Sequence, residues 1–433
     1  MSVLASADVE DLSAAGLISL PSSNGTRRVH RRRLDRLSDE ANSHLPLTPI
    51  SSTASSSAVT EMYATVPELL FSLATLKYLG YTDTAANQIW DRWSNWPSTP
   101  PMAGRYGVDL DGEILFIEVA VSHVRRFRDQ DTWDENDGSW FDFMHLCGIN
   151  LETQTDIMDP IYKRMRLMGS CYLSVKDTIE RRYHGLESIQ RALRERTRAG
   201  TMRRAPGISP DSAFSSACRS APQNNLDCII LYKGVDQARL DRFFDDSGAI
   251  IGWANMLSRS RTDFSNSQSG FIFTVHRDIA EYHACYAKRR DPVQSVAIMQ
   301  ITVPNHKIES LSSTQLQKTY WPSEDWKNLV WHCRRSEKLP SQLRKYKQAL
   351  LTIGTIAKKP NRVYNAMDTF TQIDETCVLK TEDGLTDGLQ YVFHDDEGQE
   401  FLEDLALAGS VTVHPVSGME FTQWEREHSN FDK

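Results

Sequence analysis

Between residues 65 and 198 the apolar side chains recur at helical intervals. Thr65-Val-Pro-Glu68 sets a Thr three residues ahead of a Glu, the spacing of a capping box, with a proline in the first turn. Leu69, Leu73 and Leu76 follow on one face until Gly80, so the pattern predicts a helix that begins at Thr65 and ends before Gly80. A second helix is predicted over residues 82–93, burying Ile89 and Trp90. Trp90, Trp93 and Trp96 fall on nearly one face, a stripe that either packs on the preceding helix or grips a ligand. Trp96-Pro-Ser-Thr-Pro-Pro101 breaks the pattern, and Ile114, Phe116, Ile117, Val121 and Val124 restore it across 113–127. Two more helices are predicted over 153–168, with Ile157, Ile161, Met165 and Met168 on one face, and over 172–198.

The pattern changes at Cys228-Ile-Ile-Leu-Tyr232, an apolar run that reaches Gly234 and gives way to a short predicted helix over 236–244: a strand meeting a turn. A glycine there lets the backbone approach a bound group with no Cβ in the way. A strand is predicted over 293–303, where β-branched residues close at Pro304, and a helix from Glu324, capped by Ser323 and burying Trp326 and Val330. The fold class is therefore α+β. An N-terminal helical region (61–198) is followed by a linker (199–226) and a strand-bearing domain (227–433).

Before residue 60 the chain is rich in Ser, Thr and Arg, ending in Ser51-Ser-Thr-Ala-Ser-Ser-Ser57, and is predicted to be a disordered tail. Within it Arg27-Arg-Val-His-Arg-Arg-Arg-Leu-Asp-Arg36 carries six arginines, either a nuclear-localisation or anion-binding patch or a solvated run. A second basic run, Arg191 to Arg204, leads into the polar linker and is either a solvated helix end or a contact for nucleic acid or an acidic partner.

With 433 residues, 40% hydrophobic and 24% charged, the chain has room for two or three cores. A net charge of −8 argues against a dedicated nucleic-acid binder, which needs excess Lys and Arg on its binding face. Seven scattered cysteines with no C-x-x-C spacing argue against a disulfide scaffold and a structural zinc site. No signal-like start or 20-residue apolar run occurs, so the expected setting is intracellular, cytoplasmic or nuclear, with no membrane span. The acidic turn from Asp129 to Gly138 lacks the ligand placement of a calcium loop, and no metal site is expected. Hydrolase elbow, phosphate-loop, dinucleotide-fingerprint and zinc-protease motifs are all missing from the sequence. His276, His283 and His332 occur singly, and each fits a structural or surface role better than that of a base.

Four short stretches, taken in order, carry a resemblance. Leu231-Tyr-Lys-Gly234, then Thr262-Asp-Phe264 with Gly270-Phe-Ile-Phe-Thr274, then Ala349-Leu-Leu-Thr-Ile-Gly-Thr-Ile-Ala357, then Leu389-Gln-Tyr-Val-Phe-His394 resemble the motifs of ADP-ribosyltransferase-like domains, in the branch whose signature is His, Tyr and then Glu, Asp or Gln. A looser fifth match is the helix at Glu324-Asp-Trp-Lys-Asn-Leu-Val330. The resemblance spans about 227–407 and implies a split β-sheet that holds NAD as substrate, without a metal.

It further implies Gln390 and Lys233 as catalytic positions, with Lys233, Gly234, Ile272, Phe271 and Tyr232 around the cofactor. Lys233 replaces the family's His and Ile272 its Tyr, while Gln390 fits the third position. A lysine can donate but not accept a hydrogen bond, and an isoleucine offers no π face. Two activities follow: transfer of ADP-ribose to a protein or nucleic-acid acceptor, or a catalytically inactive ligand-binding or protein-interaction module with the N-terminal helices as partner surface. Either way Lys233, Ile272 and Gln390 are expected to converge on one concave site. Arg334 and Arg335 are expected at the surface or facing a pyrophosphate.

Overall fold

The computed structural model describes residues 18–30, 63–95, 115–202, 227–245, 249–258, 263–264, 270–407 and 409–429, with 2–3, 9–10 and 13 nearer the N-terminus, and side chains up to Arg191 in the long helix. Most of the predicted tail, Trp96, the linker after residue 202 and Arg203 and Arg204 lie outside the described residues.

The helical region opens on two paired strands. β1 (Thr26–His30) runs antiparallel to β2 (Tyr63–Pro67) over five residues. Val3, Ile18 and Val29 are buried in the helical core, so part of the stretch predicted as disordered is ordered by its partner strand. Arg27, from the first basic run, bonds Glu68 at 2.8 Å. That pairing also overturns the helix predicted from Thr65: Thr65 lies in β2, and Glu68 serves Arg27 instead of capping a helix. Helix α1 begins only at Leu73 (Leu73–Tyr78), capped by Ser72.

Helix α2 (Asp83–Ser94) is capped by Thr82, and α3 (Phe116–Arg125) buries Phe116, Ile117, Val121 and Val124. Trp90 and Trp93 pack on the same core, the packing use of the aromatic stripe. Helices α4 (Asp137–Leu146), α5 (Leu151–Met158) and α6 (Lys163–Arg166) lead to the long α7 (Cys171–Met202). The single helix predicted over 153–168 is broken. Asp159 caps a short turn at Pro160–Tyr162, and a proline cannot donate to the turn before it.

The second region carries a seven-stranded mixed sheet. Its strands are β3 (Cys228–Asp236), β4 (Gly270–Thr274), β5 (Val296–Pro304), β6 (Leu316–Thr319), β7 (Leu351–Thr355), β8 (Leu389–His394) and β9 (Val411–Val416), in the order β6-β7-β8-β4-β3-β5-β9. Only β6 and β7 run parallel. β3 continues two residues past Gly234 because β5 pairs with it throughout, from Cys228 to Asp236. The helix predicted over 236–244 is one turn, α8 (Gln237–Leu240).

Side chains alternate across the sheet. One face, with Leu231, Val235, Phe271, Phe273, Tyr391 and Phe393, is covered by Trp253, Met256 and Leu402, the last from a helix over Asp395–Leu407. The other face carries α9 (Arg277–Arg290) over Tyr232 and Ile298, and α10 (Glu324–Arg335) over Ile272 and Val392.

The two regions share a buried junction. Arg182 of α7 donates to the Arg290 carbonyl at 2.8 Å and to Thr153 at 2.8 Å, and pairs with Asp156 at 3.1 Å. A C-terminal helix, α11 (Gly418–His428), opens on a capping box at Ser417 and lays Trp424 against Tyr162 of the helical region and Tyr282 of α9, ring centroids 5.7 and 4.7 Å apart. Among the described residues no helix is long and apolar enough to cross a membrane.

Candidate functional site

β3 and β4 meet at one residue pair, Tyr232 and Thr274, while each is fully laddered to its other neighbour. Beyond that pair the strands part. Lys233 and Gly234 lie on one lip of the seam and Gly270 to Phe273 on the other.

Lys233 reaches across the seam. Its Nζ donates to the Ile272 carbonyl at 3.0 Å and to Ser258 Oγ at 3.3 Å, and lies 5.6 Å from the centre of the Phe273 ring. Loss of hydration, followed by the repulsion of Arg239, lowers its pKa to about 7. Lys233 belongs by alternation to the face of Phe271 and Phe273.

Gly234 points the other way. A Cβ on it would come within 2.4 Å of the Ala280 carbonyl and 2.8 Å of the Ala284 nitrogen. The missing side chain thus admits the backbone of α9, which explains the glycine without a ligand. Tyr232 faces the same helix and packs beside Ala280 and Ala284.

Gln390 follows Thr274 in register on β8, on the face of Ile272. It is 3% exposed, and its Nε2 donates to Asp263 Oδ2 at 2.6 Å. Asp263 also accepts from Arg334 Nε at 2.6 Å and from the Ala357 amide at 2.8 Å. Burial works against the Arg334 charge, but Asp263 more than offsets it and holds the guanidinium pKa above its ordinary value. Arg334 also donates to Asn361 at 3.1 Å and to the Ala357 carbonyl at 3.0 Å. It is therefore neither at the surface nor turned to a ligand, in contrast to its sequence-based placement. The next residue, Phe264, is buried against Gly354, where a Cβ would come within 2.7 Å of its ring.

The expected convergence is thus only partial. Lys233 and Ile272 meet, through the latter's carbonyl; Gln390 belongs to a separate buried network, on the face opposite the Lys233 side chain. Phe271 and Tyr232 lie on opposite faces as well, Phe271 among the core residues around Trp253 and Phe273. Of the histidines, His276 is half-buried with Nε2 unpaired, His283 is exposed on α9, and His332 lies 3.4 Å from Glu337.

Asp263 was not anticipated as the partner of Gln390. In the sequence it stands in the Thr262-Asp-Phe264 stretch of the resemblance, but neither spacing nor periodicity connects it to a strand residue 127 positions away. No group of His, Cys, Asp and Glu suited to a metal ion occurs among the described residues. The chain matches no family model, no curated protein and no solved structure.

Proposed function

We propose that residues 227–433 are a divergent ADP-ribosyltransferase-like domain that binds NAD at the seam between β3 and β4. The observation that carries this reading is the single-pair junction of those strands, which divides the sheet into two groups and supports the split-sheet architecture implied by the sequence resemblance. The four motif stretches fall on β3, β4, β7 and β8. On this reading the Gly234 backbone holds the nicotinamide, Lys233 contacts a ribose, and charge developing at the nicotinamide ribose is stabilised electrostatically; Gln390, the residue that the resemblance assigns to the other ribose, faces away from Lys233 and holds Asp263 instead. The acceptor is a protein or nucleic acid.

Two bonds favour a second reading, a domain that binds its ligand without turnover. The Lys233 amine is already engaged by Ile272 and Ser258, and the Gln390 amide by Asp263. Incubation with labelled NAD separates the readings when saturable binding, nicotinamide release and label on macromolecules are followed together. Nicotinamide release with label on macromolecules, lost in Lys233→Met, supports transfer; saturable binding without release supports the binding module; no binding overturns both.

A further inference from the structure

The junction of the two regions is lined by two pairs of adjacent arginines, Arg181 and Arg182 of α7 and Arg289 and Arg290 of α9. Four aspartates answer them. Arg181 pairs with Asp236 and, at 3.2 Å, with Asp177; Arg182 pairs with Asp156 at 3.1 Å, Arg289 with Asp159 at 2.9 Å and Arg290 with Asp177 at 2.8 Å. Asp291 is a fifth aspartate there, and it departs from this pattern. It stands at the end of α9, is 0% exposed, and neither of its carboxyl oxygens accepts a hydrogen bond from a described residue.

The cations around it are engaged elsewhere. Arg182 uses Nε on the Arg290 carbonyl and its other nitrogens on Thr153 and Asp156, Arg181 bonds Asp177 and Asp236, and Lys288 Nζ donates to the carbonyls of Pro292 and Gln294. Three residues on, in the same turn, Gln294 donates its N–H to the Asp291 carbonyl at 3.3 Å; it is 3% exposed, and its Oε1 also lacks a partner. α7 packs flush on that side chain, since a Cβ on Gly185 would come within 2.4 Å of Gln294 Nε2. Val293, between the two, is buried in the core of the helical region. One turn thus holds two buried acceptor groups and no donor for either. A proton on Asp291 supplies the donor, whereas an ionised Asp291 is a buried charge with no hydrogen bond. Burial accordingly raises its pKa, against Arg182, Lys288 and Arg181 and with the help of Asp236.

We propose that Asp291 is a proton-operated latch: in its neutral form it holds the turn after α9 against α7, and on losing its proton as pH rises it loosens the junction of the two regions. The sign follows from linkage. The closed junction keeps a proton that the unfolded chain releases above 3.8, so the stability that the proton provides is lost as pH rises through the native pKa. The latch requires no NAD and does not rest on the transferase reading.

The test compares the full chain with Asp291→Asn, a neutral side chain of the same shape that donates at every pH. Urea unfolding is followed between about pH 5 and 8, and the unfolding constant of the unaltered chain is divided by that of the variant. The ratio is expected to rise by up to about tenfold per pH unit, one proton's worth, until Asp291 ionises in the native state as well. Asp156, lifted to about 6 by burial against Arg289 and Arg182, and the buried His123 and His394 titrate in both chains and cancel. Amide exchange at 293–295, compared at equal pH, is expected to quicken in the unaltered chain over the same range. Asp291→Ser, a smaller neutral donor, is expected to give the same slope. A ratio flat with pH in whichever variant folds, or failure of both neutral variants to fold, overturns the proposal.

Discussion

Asp263 accepts the side-chain amide of Gln390 at 2.6 Å while its other oxygen accepts Arg334 at the same distance, so one carboxylate joins two elements that share no backbone pairing. Asp263→Ala would leave a buried guanidinium uncompensated and the Gln390 amide unpaired. Chemical denaturation is expected to show a loss of about 3–5 kcal/mol. Asp263→Ala combined with Arg334→Leu is expected to cost clearly less than the sum of the single changes, because the pair is coupled.

Gly234→Ala drives a methyl into the backbone of α9, where the nearest atoms, the Ala280 carbonyl and Ala284 nitrogen, cannot rotate away. A loss of about 1–3 kcal/mol is expected, read as a fall in thermal midpoint. Gly418→Ala is the control. Nothing lies within 4 Å of its new Cβ, and at the start of α11 the change is expected to be neutral or slightly stabilising.

His394 is 1% exposed and bonds Thr352 at 3.2 Å. Burial, and to a lesser degree Lys347, lowers its pKa from 6.5 to about 4. The unfolded chain therefore binds a proton between these values that the native chain does not, and stability falls as pH drops through 6.5 toward 4. The contribution is about 3 kcal/mol at most. Urea titrations at several pH values are expected to show a shallower acid decline in His394→Gln. His123, lowered to about 4 by burial and then by Arg92 and Arg126, adds a loss of the same sign.

Lys233 works in the alkaline range. Its native pKa of about 7 lies below the ordinary 10.5, so the native state gives up a proton that the unfolded state keeps. Stability is expected to rise from about pH 7 toward 10.5. Lys233→Met is expected to flatten that rise, measured by the same titrations.

Trp424 stacks on Tyr162 and on His428, the latter at 3.8 Å between ring centroids, and meets Tyr282 edge-on. Trp424→Ala is expected to cost about 2 kcal/mol or more, and to make the junction between the regions more sensitive to limited proteolysis.

What could be read from the chain was what neighbouring residues encode. The Ser323 cap and the apolar face of α3 each rest on side chains a few positions apart. What could not be read depends on distant partners. The Thr65–Glu68 spacing meets the capping rule, yet β1 supplies a five-residue ladder and Arg27 claims Glu68. The 3.6 repeat continues through Pro160, where the backbone cannot follow it. At the site, the strand carrying Lys233 and Gly234 was legible, but the face each side chain takes depends on α9 and the seam. The Asp263 clamp on Gln390 left no local trace.

The stacking of α11 on Tyr162 also governs the order in which this chain can be finished at the ribosome. Tyr162 and its hydrogen-bond partner Glu425 are 263 residues apart, so the helical half emerges long before the surface that covers it exists. During that interval the aromatic side chains at the junction stand bare to water, and synthesis passes through a stage in which a nascent, half-made protein has reason to engage a chaperone.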